Sequence, residues 1–338
     1  MKILIIKMSS LGDVVHALPL ATDIHRQFDD VVIDWVVEEA FADIPALHEH
    51  VSSVIPIGLR RWRRTWWSSQ TRTEFSQFVS RLRRERYDLV IDAQGLLKSA
   101  LVTCLANGTS GGLDFGSSRE PLSSLLYGQR ISIDKQKHAI DRVRELGGAL
   151  LNYRIESEPD FGLARSSEAG VHSVMFLHGT TWPSKHWPEE QWQKLANLVE
   201  EDGYQIVIPW GNDTERSRAV RIARSTSQVL PRMTVRELAK KIASCAGIVT
   251  VDTGLGHLAS GYGVPTVALY GPTDPRLIGI KGPNQTTLVS NHLSCIPCKK
   301  RNCKFSSDDC KIYPPCFTTT PEATWKALLS QIEPASQS

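Results

Sequence analysis

Apolar residues fall along this chain in short β-branched runs that alternate with segments whose apolar positions recur every three to four residues. The first pattern predicts buried strands and the second amphipathic helices. In the first half, strands are expected at 3–6, 31–37, 54–57 and 89–92, with helices near 14–26, 72–86 and 96–106. A Gly/Ser-rich stretch around 108–118 follows, then a helix near 137–151 ended by Asn152, and Glu156-Ser-Glu-Pro-Asp160 reads as a linker. The pattern then restarts, with strands expected at 173–177, 205–209, 248–252 and 266–270, and helices near 188–202, 214–225, 234–245 and 254–262. Strands alternating with helices in this way predict parallel sheets covered on both faces, an α/β fold. Two doubly wound units joined by a polar linker imply two Rossmann-like domains facing across a cleft, at 1–155 and 160–320. The last helix, within 321–338, lies too far from the final strand for a tight crossover and is expected to pack back on the first domain.

The chain has 338 residues, enough for two domains that each bury a core. With 41% apolar and 22% charged residues, neither extensive disorder nor a fibrous architecture is favoured. Lys2-Ile-Leu-Ile-Ile-Lys7 holds four consecutive apolar residues, fewer than a secretory segment needs, and no later run approaches the roughly twenty of a spanning helix. The expected compartment is the cytoplasm, with any membrane contact peripheral. Net charge is only +3, yet residues 60–86 carry nine Arg against two Glu. The block Arg60-Arg-Trp-Arg-Arg-Thr-Trp-Trp67 within it suits either nucleic acid or an anionic lipid surface. Arg81, Arg83, Arg84 and Arg86 read as the solvated face of a helix.

Ligands of open α/β sheets gather beyond the carboxyl ends of strands, which directs attention to four loops, the basic block above among them. Met8-Ser-Ser-Leu-Gly-Asp13 turns sharply into a helix and places Asp13 at its N-cap, where it can cap, serve as a base, or do both. His178-Gly-Thr-Thr-Trp-Pro-Ser-Lys-His-Trp187 offers the hydroxyls of Thr180 and Thr181 and the cation Lys185, suited to phosphate. Val251-Asp-Thr-Gly-Leu-Gly-His-Leu-Ala259 runs a strand into a Gly-rich turn and a helix, a geometry that aims backbone N–H groups at an anion. The dinucleotide spacing of Gly254, Gly256 and Ala259 would admit NAD, but Asp274 is misplaced for a ribose and too little chain remains for a six-stranded dinucleotide fold. No Asp-x-Asp triplet is present to hold a divalent ion on a diphosphate.

Cys104 and Cys245 fall in apolar helical patterns and are expected to be buried. Cys295, Cys298, Cys303, Cys310 and Cys316 form a cluster that is a candidate structural zinc site, although only the first pair has knuckle-like spacing.

Taken together, these segments resemble the lipopolysaccharide heptosyltransferases of glycosyltransferase family 9, which have the GT-B architecture. The resemblance covers nearly the whole chain. It rests on Met1 to Asp13, Arg60-Arg-Trp-Arg63, Ile91-Asp-Ala-Gln-Gly-Leu-Leu-Lys98, Arg119-Glu-Pro-Leu122, Lys185-His-Trp-Pro-Glu189, Val251 to His257 and Tyr270-Gly-Pro-Thr-Asp274. It is nearest to the members that add the first heptose, while the cysteine-bearing segment looks more like members that add the second. The resemblance implies inverting, metal-independent transfer of heptose from ADP-heptose to the first Kdo of Kdo2-lipid A, at the cytoplasmic face of an anionic inner-membrane leaflet. It implies that Asp13 deprotonates the acceptor and that Lys185, with Thr180 and Thr181, meets the departing phosphates. Thr253, Gly254 and His257 would complete the phosphate site, Glu215 would hold the ribose, Met233 the adenine, and Asp252 would lie near the donor sugar. Arg60, Arg61, Lys98, Arg119 and His138 match positions that meet the acidic acceptor, which accounts for the basic block without nucleic acid.

Overall fold

The computed structural model describes residues 1–165, 171–290, 292–305 and 314–332. The chain divides into two compact units, Met1–Leu163 and Ala164–Ser338. The boundary lies beyond the expected linker because that segment is bound to the first unit. Gly162 accepts the backbone N–H of Glu49, and Arg26 pairs with Asp160.

The first unit runs β1 (Lys2–Ile6), α1 (Leu11–Gln27), β2 (Val32–Glu38), β3 (Ser53–Ile57), α2 (Leu59–Trp62), α3 (Ser69–Arg83), β4 (Arg86–Asp92), α4 (Leu97–Leu105), β5 (Asn107–Leu113), β6 (Gln129–Ile131) and α5 (Ala139–Leu151). Its strands form one parallel sheet in the order β3-β2-β1-β4-β5-β6. Ile3, Leu4, Ile5 and Ile6 are fully buried, as a central strand covered on both faces requires. Asn152 ends α5 in the left-handed conformation, a common C-terminal stop.

The second unit repeats the plan with β7 (Val171–Leu177), α6 (Glu189–Glu201), β8 (Gln205–Ile208), α7 (Asp213–Ile222), β9 (Gln228–Val229), α8 (Val235–Ser244), β10 (Cys245–Val251), α9 (Gly254–Gly261), β11 (Thr266–Tyr270), α10 (Pro275–Ile278), β12 (Gln285–Val289) and α11 (Pro321–Ile332). Its parallel sheet has the order β12-β11-β10-β7-β8-β9. Counted within each unit, both sheets therefore read 3-2-1-4-5-6, the doubly wound Rossmann order. The chain does complete a second six-stranded sheet, because β9 and β12 supply short edge strands that the apolar pattern does not reveal.

Helix α11, expected to pack back on the first domain, lays its apolar face on the second unit. Trp325 and Leu328 join the apolar cluster of α6, β8 and β10, the Trp325 indole N–H donates to Asp202, and Gln331 donates to Thr286 at 2.8 Å. Its apolar face finds cover against the sheet it follows. Among the described residues no helix is long and apolar enough to cross a membrane.

Candidate active site

In each sheet the order of strands reverses between the first strand of the unit and the fourth, at β1/β4 and at β7/β10. The loops leaving these neighbours diverge there and leave room for a ligand. Asp13, Lys98 and Arg119 gather at the first of these places, and Lys185, Thr180, Asp252 and Thr253 at the second.

In the first unit, Ser10 occupies the N-cap of α1 and Asp13 the third helical position. The cap is therefore Ser10, and Asp13 is its partner in a capping box. Asp13 Oδ2 accepts the Ser10 backbone N–H at 2.8 Å and the Ser10 hydroxyl at 2.7 Å. Burial pushes the Asp13 pKa up, but the charge of Lys7 and the Ser10 hydrogen bonds outweigh it and hold the carboxyl below its usual range. Half-buried and with Oδ1 outside this box, Asp13 is an ionised carboxylate at a helix N-terminus.

Lys7 had no place among the sequence candidates. It follows β1 directly, is buried, and donates from Nζ to the Ala93 carbonyl at 2.8 Å, which bridges the β1 and β4 loops. Burial lowers its pKa, opposed by the charges of Asp13 and Asp92. Asp92 is fully buried, accepting from the Tyr127 hydroxyl at 2.7 Å and from the backbone of Gln94 and Gly95, and burial raises its pKa. Gln94 accepts the Met8 backbone N–H at 2.7 Å, and Lys98 Nζ lies 3.2 Å from the Ser9 hydroxyl. The charge of Arg119 bears on both Lys7 and Asp13. Asp13, Lys98 and Arg119 thus share one corner. A cation between four isoleucine-leucine strand residues and a serine-rich loop was the available signal for Lys7.

His138 caps α5, accepting the Ile140 N–H at 3.2 Å, and its ring lies 5.9 Å from that of His16, one turn along α1 from Asp13. Arg60 joins through Glu38, which accepts the Arg60 backbone N–H at 2.9 Å and donates its own N–H to the Met8 carbonyl. The Arg60 guanidinium lies over the Phe41 ring, 5.0 Å from its centre. Arg61 is held by Glu39 at 3.0 Å and Glu74 at 2.6 Å, so its charge is matched within the unit. Trp62 is a core residue that donates to Glu74, whereas Trp66 and Trp67 are 68% and 65% exposed. Arg81 and Arg83 are not merely solvated, since they donate to the carbonyls of Val54 and Leu105.

In the second unit, Lys185 Nζ lies 2.7 Å from Asp252 Oδ2 and 4.6 Å from the centre of the Trp182 ring. Asp252 Oδ2 also accepts from the Thr273 hydroxyl at 2.6 Å, and the Asp252 carbonyl accepts from Thr180 at 3.2 Å. The loops after β7, β10 and β11 are tied together by these bonds. Thr181 is exposed beside them. Thr253 is the N-cap of α9, which begins at Gly254 and buries His257 on its inner face. Gly256 permits α9 to approach β10, since a Cβ there would stand 2.7 Å from the Thr250 hydroxyl oxygen. Glu215 reaches back from α7 to accept the Gly211 N–H at 2.7 Å, and its carboxylate lies against Gly179. Met233 is half-buried in the segment that leads into α8.

The Gly254 to Ala259 spacing follows the fourth strand of its unit, whereas a dinucleotide fingerprint belongs in the first βα turn. Asp274 caps α10 and pairs with Arg276 at 2.8 Å, so it is committed locally. These positions, and not a shortage of chain, weigh against NAD.

Cys104 is exposed on α4, contrary to expectation, because α4 turns that face outward; Cys245 is buried. Cys295 is exposed, Cys298 and Cys303 are partly buried, and Cys316 is buried. Burial raises the Cys316 thiol to about 11, with smaller contributions from Cys303, Cys298 and Cys295. Among the described residues no group of three metal donors converges, and Cys310 lies outside them.

The family model described as glycosyltransferase family 9 (heptosyltransferase) matches residues 75–307. The chain is 44% identical over 334 residues to lipopolysaccharide heptosyltransferase 1 of Pseudomonas aeruginosa, a match covering 94% of each. Among solved structures it resembles Escherichia coli heptosyltransferase WaaC with ADP, at a TM-score of 0.82 and 44% identity, covering 85% of this chain and 92% of that one. The same enzyme with ADP-2-deoxy-2-fluoro heptose gives a TM-score of 0.80 at 42% identity, covering 86% and 94%. Two parallel six-stranded Rossmann-like sheets are the halves of the GT-B architecture these structures share. The chain belongs to glycosyltransferase family 9, the heptosyltransferases, and is a glycosyltransferase of lipopolysaccharide synthesis.

Proposed function

We propose that this enzyme moves L-glycero-D-manno-heptose from ADP-heptose to the first Kdo of Kdo2-lipid A, with inversion and without a metal ion. The observation that carries the reading is the separation of chemistry between the two switch points. An ionised carboxylate, Asp13, stands with Lys98 and Arg119 in the first unit, and a lysine, hydroxyls and a helix N-terminus gather in the second.

On this reading the second unit holds the donor. Lys185, Thr180, Thr181, Thr253 and Gly254 meet the diphosphate, His257 supports α9 beneath it, Glu215 takes the ribose and Met233 the adenine. Asp252, already positioned by Lys185 and Thr273, faces the heptose. As the bond from the anomeric carbon to the ADP oxygen breaks, negative charge grows on the phosphate, and Lys185 stabilises it in the role often given to a divalent ion. The missing Asp-x-Asp triplet is consistent with that substitution.

The first unit holds the acceptor. Arg60, Lys98, Arg119 and His138 meet its carboxylates and phosphates, while Arg61 serves through the Glu39 and Glu74 network. Asp13 takes the proton of the attacking hydroxyl as the new bond to the anomeric carbon forms. Because its pKa is held low, it is a weak base in the ground state and accepts the proton only as the hydroxyl becomes acidic in the transition state. The enzyme works peripherally at the cytoplasmic face of the inner membrane, where Arg63, Arg64, Trp66 and Trp67 meet an anionic leaflet.

The test is ADP release from ADP-heptose with Kdo2-lipid A or its monoheptosylated form as acceptor. Release with the first and not the second is expected. Release only with the second would assign the enzyme to the next heptose, and release with neither would remove the reading.

A further inference from the structure

Two neighbouring helical segments of the first unit bury hydroxyls and leave leucines in the open. In α4, Ser99 and Thr103 are buried at 0% and 2% exposure, while Leu97 and Leu101, one turn apart, are 39% and 58% exposed. In the 3-10 helix Pro121–Leu126, Ser123 and Ser124 are buried at 0% and 1%, while Leu122 and Leu125 are 56% and 59% exposed. The buried hydroxyls are satisfied locally: Ser99 donates to Leu96, Thr103 to Ser99, Ser123 to Glu120 and Ser124 to Pro121. The two segments run side by side, tied at one end by the Leu97 N–H to Glu120 at 2.7 Å and at the other by Cys104 to the Leu126 carbonyl.

Single exposed leucines need no explanation, but four on two helical segments tied to each other do. The usual amphipathic arrangement puts leucine inward and hydroxyl outward; the 3-10 segment reverses it, and α4 buries Ser99 and Thr103 beside Ala100 and Val102 while leaving Leu97 and Leu101 outside. Cations adjoin the leucines along the chain: Lys98 follows Leu97 and reaches Ser9, and Arg119, whose charge bears on Asp13, immediately precedes the Glu120-Pro121 start of the 3-10 helix. Apolar side chains flanked by lysine and arginine suit a bilayer surface, with hydrocarbon beneath and phosphate at the rim.

We propose that Leu97, Leu101, Leu122 and Leu125 enter the hydrocarbon margin of an anionic lipid leaflet. This rests on the reading above, in which a lipid-borne acceptor is met by Lys98 and Arg119, and it names the surface that seats the first unit on the membrane. The Arg63 to Trp67 segment then supplies long-range attraction, and the leucine face supplies the apolar hold.

The experiment uses the full chain and its Leu101→Gln/Leu125→Gln variant, which changes two exposed positions and leaves the buried serines in place. Cosedimentation is measured with vesicles of phosphatidylethanolamine and phosphatidylglycerol. ADP release is measured with fully deacylated Kdo2-lipid A as a soluble acceptor. The parent is expected to bind the vesicles and the variant to bind at least roughly tenfold more weakly, with turnover on the soluble acceptor equal within about twofold. Equal vesicle binding by the two proteins, or no vesicle binding by the parent, would overturn the proposal. A parent that dimerises in sedimentation velocity while the variant stays monomeric would also overturn it, since the occupant would then be a second copy. Weaker vesicle binding by the variant, with no ADP release by either protein, would uphold the lipid surface and remove the functional reading instead.

Discussion

Lys185 and Asp252 form an ion pair of 2.7 Å across the switch point of the second sheet, joining the loop after β7 to the loop after β10. Both side chains are largely removed from solvent, and Asp252 is further fixed by Thr273. Removing one partner would leave a charge uncompensated, which costs on the order of 3 kcal/mol at buried pairs. Lys185→Met is therefore expected to lower stability and to weaken ADP binding. Lys185→Met/Asp252→Asn should recover most of the stability while ADP binding and turnover stay low. Thermal unfolding and ADP titration separate the two effects, and recovered turnover in the double variant would contradict a phosphate role for Lys185.

Acid should destabilise both units. His48 in the first unit and His178 in the second are buried and neutral, with burial lowering each pKa from 6.5 to about 4. Below about pH 6.5 the unfolded chain takes up protons that the folded chain does not, so stability is lost as pH falls toward 4. The full loss is on the order of 3 kcal/mol per histidine. His48→Asn keeps an acceptor for the His50 N–H and removes the titrating ring. Urea midpoints at about pH 7 and about pH 5 should fall apart in the parent and lie closer together in the variant. A pH-independent midpoint in the parent would contradict this assignment.

The regular elements of the fold were legible where burial on both faces or on one stripe leaves an apolar period, as in β1, α1, β7 and α11. Strand β5, Asn-Gly-Thr-Ser-Gly-Gly-Leu, carries no such period. It is held by parallel pairing with β4 and β6, and at Gly112 Tyr127 lies directly on the backbone, where a Cβ would be 2.4 Å from the ring. Edge strands β6 and β9 are too short to register any pattern. The cover that α11 finds on the second unit was not legible, because distance along the chain says nothing of which apolar face is open.

At the site, loop chemistry pointed to Asp13, Lys185 and the Gly254 turn, because polar residues at strand ends stand out from an apolar background. Lys7 and Thr273 escaped notice since their roles depend on burial and on partners 86 and 21 positions away. Glu215 and Met233 carried no local signal and rested on family resemblance alone.

Chelation should leave the enzyme active. If Lys185 and the α9 N-terminus meet the leaving phosphate, treatment with EDTA followed by desalting is expected to change turnover by less than about twofold. Loss of activity restored by Mg²⁺ would show that a divalent ion carries the charge assigned to Lys185.

The capping box makes Asp13 testable apart from its structural duty. Asp13→Asn retains an oxygen to accept the Ser10 N–H, so helix α1 should lose at most about 1 kcal/mol of stability. What it removes is the capacity to take a proton.

Turnover of Asp13→Asn, measured as ADP release from ADP-heptose and Kdo2-lipid A beside circular dichroism and ADP titration, tests the account most directly. The prediction is a fall of roughly a hundredfold or more with fold and ADP affinity intact. Turnover equal to that of the parent would show that Asp13 only caps its helix.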